Sequence, residues 1–100
     1  MLVVIFRAKV RQVDSEYLET AERLRTLAFE LFGCLGFHSS SEGDEEITLS
    51  YFPDAQSIAA WKVHPDHLLA QRLGRERWYA SYSVEVAEVT RKYDFVASAP

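Results

Sequence analysis

The sequence predicts an α+β fold with the element order β–α–β–β–α–β, the ferredoxin-like arrangement, in which helices cover one face of a four-stranded antiparallel sheet. Three observations carry this prediction: strand-like alternation in four segments, helix-like spacing of apolar residues between them, and glycine or proline at the boundaries. The 100 residues suffice for one domain. We expect a single domain at residues 2–95 and a disordered tail at 96–100.

The first half of the chain reads as a strand followed by a long helix. Residues 2–11 are rich in β-branched side chains and alternate between an apolar and a partly polar face. Asp14 and Ser15 are suited to cap the helix that follows, and the glycines of GCLGF are suited to end it. The predicted core stripe of this helix consists of Tyr17, Ala21, Leu24, Ala28, Leu31 and Leu35.

The second half begins with a predicted β-hairpin, in which residues 37–42 and 46–52 flank the polar turn EGDE. Pro53 ends the second strand, and a short helix then runs to Trp61. A proline favours the first turn of a helix, so we expect a further helix over residues 65–78.

The last predicted strand, residues 78–92, is longer than usual, and its alternation changes phase. Tyr82, Val84 and Val86 share one face, whereas Ala87 and Val89 fall on the other. Such a strand needs a bulge or a second packing environment. The second option predicts that its far half packs on a partner subunit. A sheet with helices on one face only also leaves an apolar face bare, so we expect a homodimer.

Composition restricts the partners. The net charge of −4 and the isoelectric point near 5.3 argue against nucleic acid or an anionic membrane surface as the main partner. No segment approaches the roughly 20 apolar residues that span a bilayer. The single cysteine, Cys34, indicates a reducing compartment and a buried thiol. We expect a cytoplasmic protein.

The helix predicted over residues 65–78 carries an unusual stripe. At 100° per residue, four residues fall within about 60° of one another: His67, Gln71, Gly74 and Trp78. Leu69 and Leu73 point to the core, and Arg72 and Arg75 point to solvent. The stripe fits the wall of a cavity between helix and sheet. On spacing alone a purely structural role is favoured over a ligand pocket, with Trp78 covering the core and His67 bonding a carbonyl group, and both interpretations stay open here.

A metal site is disfavoured. His64 and His67 are three residues apart, but Pro65 interrupts the helix that such ligation would use. The sequence contains no phosphate-binding glycine loop and no GxSxG motif. We therefore expect no bound metal.

Residues 50–79 resemble a known family. The pattern H-x-x-A-Q-x-x-G-R-x-x-W-Y follows a strand with Ser50-Tyr51 and a short helix that ends in Ala-Trp61. The residues of the pattern are His67, Ala70, Gln71, Gly74, Arg75, Trp78 and Tyr79. The chain is thereby similar to the antibiotic biosynthesis monooxygenase superfamily, in its small stand-alone bacterial branch.

The resemblance implies a dimeric α/β barrel, in which two ferredoxin-like sheets close face to face and the last strand reaches across the partner. The superfamily includes cofactor-free oxygenases of phenols and quinols, haem-degrading enzymes, a sugar-phosphate isomerase and many members of unknown activity. Their pockets lie between the helices and the sheet of each protomer.

Two departures bear on the chemistry. The haem-degrading branch is similar in carrying a tryptophan where Trp61 stands, but its iron-ligand position falls at or near Gln71, and glutamine is a poor haem ligand. Its strand asparagine falls near Arg7, and this chain contains no asparagine at all. Haem degradation is therefore disfavoured, although His67 lies one turn from the ligand position.

The resemblance favours a monooxygenase that needs no cofactor and oxidises a small aromatic phenol or quinol. His67 would take the phenolic proton and Gln71 would hydrogen-bond the oxyanion. The predicted substrate-binding residues are Tyr51, Trp61, Gly74, Trp78 and Tyr82. The alternative is a non-enzymatic dimeric protein that binds a small hydrophobic or aromatic molecule in the same pocket.

Overall fold

A computed structural model describes residues 1–98. The elements in chain order are β1 (Leu2–Val10), α1 (Ser15–Leu31), β2 (Gly36–Glu42), β3 (Glu45–Phe52), α2 (Ala55–Lys62), α3 (Pro65–Leu73), a π-helical turn (Gly74–Trp78) and β4 (Tyr79–Glu88). The predicted α+β ferredoxin-like order is confirmed. The helix predicted over 65–78 is α3 followed by the π-helical turn, a conformation that the sequence did not indicate.

The four strands form one sheet in the order β2-β3-β1-β4, with every neighbouring pair antiparallel. The registers place the helix-facing residues in rows that run across all four strands. Three of these rows are Ser41–Glu46–Ala8–Tyr82, Ser39–Thr48–Phe6–Val84 and Phe37–Ser50–Val4–Val86. These rows form the surface that faces the helices, which leave its β4 side open, since Val84 and Val86 are 51% and 54% exposed.

Side-chain caps begin all three helices. Asp14 accepts a hydrogen bond from the backbone N–H of Tyr17 at 2.8 Å, and Asp54 does the same for Ser57 at 2.8 Å. Each cap satisfies an N–H group that the first helical turn leaves without a partner. His64 caps α3 through Nδ1, and the proline that follows it occupies the first turn, where its missing N–H costs nothing.

The core is a cluster at the end of the sheet where β3 meets α2. Its buried members are Val4, Ala28, Cys34, Phe52 and Trp61. Phe52 is fully buried, and Cys34 is a buried free thiol. The predicted stripe of α1 is wrong at its end, because α1 stops at Leu31. Gly33 then turns the chain with a φ of 68°, so Leu31 and Leu35 are 62% and 59% exposed.

The last strand is shorter than predicted. β4 ends at Glu88 rather than at residue 92, and residues 89–98 have no regular secondary structure. A register irregularity lies beside Lys9 and Val10 of β1, at the start of β4 rather than in its middle. Tyr93 and Phe95 are 80% and 87% exposed. The predicted tail, 96–100, extends beyond the described residues.

The sheet face turned away from the helices is also apolar. It carries Val3, Ile5, Ile47, Leu49 and Tyr51, which alternate with the helix-facing residues of β1 and β3. All five are half-buried or exposed.

None of the helices within residues 1–98 is long and apolar enough to cross a membrane.

Candidate functional site

A cavity of about 460 Å³ lies between the sheet and the helices. Residues of the three rows, apart from Ser41 and Ala8, form its floor, and side chains of α1, α2, α3 and the π-helical turn form its roof. A volume of this size is typical of pockets that hold a small organic ligand.

His67 and Gln71 form a polar pair in the roof of this cavity. They stand one turn apart on α3, and Gln71 Nε2 lies 2.9 Å from His67 Nδ1. Burial lowers the pKa of His67 to about 4, because the apolar surroundings disfavour the charged imidazolium. His67 is therefore neutral at physiological pH.

Trp61 fixes the position of His67. The indole ring meets the imidazole edge to face with ring centroids 4.6 Å apart. It also packs against Phe52 and Phe37, at centroid distances of 5.1 and 6.5 Å. Trp61 is almost fully buried. The His67 pair therefore lies at the core end of the cavity.

A second polar pair lies at the other end. The Tyr17 hydroxyl on α1 donates a hydrogen bond to Glu46 on β3. Burial and this hydrogen bond raise the pKa of Tyr17 above its ordinary range, and burial raises the pKa of Tyr79 to about 12. Both phenols stay protonated at physiological pH. The Tyr17 ring also contacts Trp78 edge to face at 5.2 Å.

Arg75 and Tyr82 form the wall on the β4 side. Arg75 donates from Nη1 to the Tyr82 hydroxyl at 3.2 Å, and the Tyr82 ring stacks on Phe6 with centroids 5.6 Å apart. We predicted that Arg75 faces solvent. It is exposed, but the π-helical turn brings it to the cavity edge, where it places a positive charge beside the apolar floor.

The structure gathers five of the seven predicted site residues around the cavity: Trp61, His67, Gln71, Trp78 and Tyr82. Gly74 is buried beside the cavity wall, where an added Cβ would lie 2.9 Å from the Tyr79 ring. Tyr51 lies on the opposite face of the sheet, because the neighbouring residues Ser50 and Phe52 point to the helices. Tyr51, predicted to bind substrate, therefore does not line this cavity, and Gly74 supports the wall without lining it.

Sequence reasoning missed the polar floor. Glu46, Thr48 and Ser50 face the cavity, whereas the apolar residues of the same strand face away. The alternation in β3 defines two faces but does not indicate which of them is turned toward the helices. Tyr17 was predicted as a core residue only. Within residues 1–98, no three His, Cys, Asp or Glu side chains are grouped so that they could hold a metal ion.

We compared the chain with known protein families and with curated proteins. No family model matches the chain. The uncharacterized protein YqjZ of Bacillus subtilis (strain 168) is 42% identical over 90 residues, which cover 89% of this chain and 79% of that protein. This relationship is close enough to define a family.

Solved structures share the fold at low sequence identity. A crystal structure described as an antibiotic biosynthesis monooxygenase matches with a TM-score of 0.73 at 13% identity, covering 91% of this chain and 100% of the other. SnoaB, a cofactor-independent oxygenase from Streptomyces nogalater, matches with a TM-score of 0.76 at 11% identity, covering 91% and 94%. These likenesses establish the architecture alone.

Proposed function

Because the chain belongs to the family of Bacillus subtilis YqjZ and has the fold of the antibiotic biosynthesis monooxygenase superfamily, we propose that it is a cofactor-independent monooxygenase of a small aromatic phenol or quinol. The observation that carries the proposal is the neutral His67, held by Gln71 at the wall of an aromatic cavity. Trp61, Trp78 and Tyr82 supply apolar rings around the space where the substrate ring binds.

His67 is the proton acceptor in this proposal. A rotation of the Gln71 side-chain amide lets its oxygen accept from Nδ1–H of the imidazole, which leaves Nε2 free to take a proton. Transfer from a phenol with a pKa of about 10 to an imidazole with a pKa of about 4 costs about 8 kcal/mol. That cost fits within the barrier of about 17 kcal/mol that corresponds to one turnover per second. The positive charge of Arg75 lowers the cost by favouring the phenolate.

The phenolate then supplies the electrons for the reaction. It passes one electron to O₂, and the phenoxyl radical and superoxide combine to form a carbon–oxygen bond. The proton held by His67 returns to the peroxide, and loss of water leaves a quinone. Phenol and O₂ thus become quinone and water, with one oxygen atom in each product. The apolar walls of the cavity limit the contact of the radical pair with bulk water.

Oxygen uptake tests this function. The protein is mixed anaerobically with a series of naphthols and naphthohydroquinones, air is admitted, and oxygen consumption is compared with that of protein-free solutions. We expect His67→Ala to lower the rate by about 10²–10⁴-fold, as loss of a general base does. His38→Ala is the matched control, because His38 is exposed on the far face of β2, away from the cavity, and light scattering checks that this variant keeps the oligomeric state of wild type. Equal rates for wild type and His67→Ala would remove His67 from the mechanism.

The non-enzymatic alternative gives a different result. A stoichiometric bound aromatic in native mass spectra, together with oxygen consumption no faster than in protein-free solutions, would identify a ligand-binding protein. Labelling with ¹⁸O₂ completes the distinction, because a monooxygenase places one labelled atom in the product. Titration with haem tests the haem-degrading branch, for which a Soret band at one equivalent would be the signature.

A homodimer completes the proposal. The far face of the sheet is apolar at Val3, Ile5 and Leu49, and the aromatic residues Tyr93 and Phe95 protrude after β4. A second copy that covers these surfaces removes apolar area from water. We expect a dimer by light scattering at micromolar concentration, and a loss of dimer after truncation at Glu88. A monomeric mass for the whole chain would contradict this.

The proposed location is a reducing cytoplasm. Cys34 is free and buried in the core, where a thiol serves as a small apolar side chain. Fractionation of the source cells, with recovery outside the cytoplasm, would contradict it.

A further inference from the structure

Glu46 is a carboxylate in an unusual place. It points from β3 into a cavity with mainly apolar walls and is half-buried there. Its Oε2 accepts from the Tyr17 hydroxyl, and its Oε1 receives a long contact of 3.4 Å from Thr48. Among residues 1–98, no cationic group lies within ion-pair distance of it. Core packing does not require a carboxylate at this position.

The Glu46 carboxylate has acceptor capacity to spare. Its two oxygens offer about four lone-pair sites, and the protein occupies two of them. Burial of a carboxylate without a cation is unfavourable unless hydrogen-bond donors satisfy it. A ligand hydroxyl is the donor that a filled cavity can provide, because the ligand displaces the water that otherwise solvates the carboxylate.

The neighbouring floor is divided into a polar and an apolar half. The hydroxyl groups of Ser39 and Thr48 bond each other at 2.6 Å on the β2–β3 side. In the same row, Phe6 and Val84 make the β1–β4 side apolar. A ligand ring therefore rests on β1 and β4, with its polar groups directed to β3.

The two polar pairs are at opposite ends of the cavity. Trp61, which holds His67, packs against Phe37 in the row of Ser50, whereas Glu46 is four residues earlier on β3. Four residues of a strand extend about 13 Å. A single aromatic molecule can form hydrogen bonds with both pairs only if it carries a polar group at each end.

We propose that the Tyr17–Glu46 pair selects the substrate, which is an aromatic diol with one hydroxyl at His67 and a second, distal hydroxyl that donates to Glu46. This deepens the proposed function and rests on it. Tyr17 is a positioning residue: its phenol remains a donor and holds the carboxylate toward the cavity. An anionic group at the distal position is excluded, because it would face the Glu46 carboxylate without a cation between them.

Binding measurements test this selection without any turnover. Quenching of tryptophan fluorescence under anaerobic conditions gives the Kd of three matched probes: 2,6-dihydroxynaphthalene, 6-methoxy-2-naphthol and 6-hydroxy-2-naphthoate. They share one hydroxyl and differ in the group at the distal position. This group is a hydrogen-bond donor in the diol, an acceptor without a proton in the methyl ether, and an anion in the naphthoate. We expect wild type to bind the diol at least about tenfold more tightly than either of the others, the value of one hydrogen bond to a charged group.

Glu46→Gln is the decisive variant, because it keeps the shape of the side chain and removes the charge. We expect it to lose most of the tenfold preference over the methyl ether and to bind the naphthoate better than wild type does. Tyr17→Phe should reduce the preference in the same direction. Glu45→Gln is the control, since Glu45 is the exposed neighbour on the other face of β3, and it should bind like wild type.

The possible outcomes distinguish a failure of the diol selection from a failure of the proposed function on which it rests. Tight binding of all three probes with an unchanged order in Glu46→Gln would overturn the diol selection and leave the monooxygenase proposal intact. Failure of wild type to bind any of them would overturn both. Unchanged melting temperatures of the variants ensure that lost preference reflects the site.

Discussion

The neutral state of His67 predicts a specific dependence of stability on pH. An unfolded chain binds a proton at this residue with the ordinary pKa of 6.5, whereas the folded protein does so only near 4. Between these values the unfolded state binds more protons, so the free energy of unfolding falls as the pH falls from about 6.5 to 4. The full difference is about 3 kcal/mol.

The measurable part of this effect is smaller. Between pH 7.5 and pH 5, these two pKa values predict that His67 alone lowers the free energy of unfolding by about 2 kcal/mol. Urea unfolding at fixed protomer concentration measures the total loss in wild type and in His67→Gln. We expect the loss between the two pH values to be about 2 kcal/mol smaller in the variant, because glutamine does not titrate.

An exposed histidine provides the control for this measurement. His38→Gln removes an exposed histidine and should retain the pH dependence of wild type. An identical loss in wild type and His67→Gln would refute the reasoning. An NMR titration of the His67 ring with a midpoint near 6.5 would do so directly.

Three further changes test the packing around the site by urea or thermal unfolding. Gly74→Ala should destabilise by about 1–3 kcal/mol, since its Cβ would lie 2.9 Å from the packed Tyr79 ring. Asp54→Ala should cost about 1 kcal/mol by removing the 2.8 Å cap of α2 at Ser57. Phe52→Ala should cost about 3–5 kcal/mol, because the side chain is fully buried beneath Trp61.

Each of these changes has a matched control. Gly36→Ala meets its nearest neighbour at an ordinary 3.5 Å and should be milder than Gly74→Ala. Asp54→Asn retains a capping oxygen and should be close to wild type. Phe29 is 43% exposed, so Phe29→Ala should cost much less than Phe52→Ala. Equal effects within any pair would contradict the local geometry described for it.

Part of the site was visible in the sequence because helical spacing is local. His67 and Gln71 are four residues apart, so any α-helix brings them to one face, and the short helix before them ends at Trp61. The pair between Tyr17 and Glu46 was not visible, because 29 residues separate its members. No local pattern indicates that contact.

The far end of the last strand shows a similar limit. The alternation after Val86 predicted a strand to residue 92, but β4 ends at Glu88. β1 begins at Leu2, which pairs with Glu88, and after that pair only the N–H of Val89 donates to the Met1 carbonyl, so within residues 1–98 no further strand lies beside the rest of the chain. Strand propensity alone does not supply the hydrogen-bond partner that a strand requires.

The sequence by itself determined the order of elements, the cap at Asp14, and the place of His67 beside Gln71, because each depends on residues within a few positions. Only the tertiary structure decided which face of β3 meets the cavity. Ile47, Leu49 and Tyr51 were as suitable for the inside as any apolar set, yet they face outward. The physical reason is that both faces of this sheet carry apolar residues. Alternation with a period of two residues separates the two faces but does not indicate which of them the helices contact.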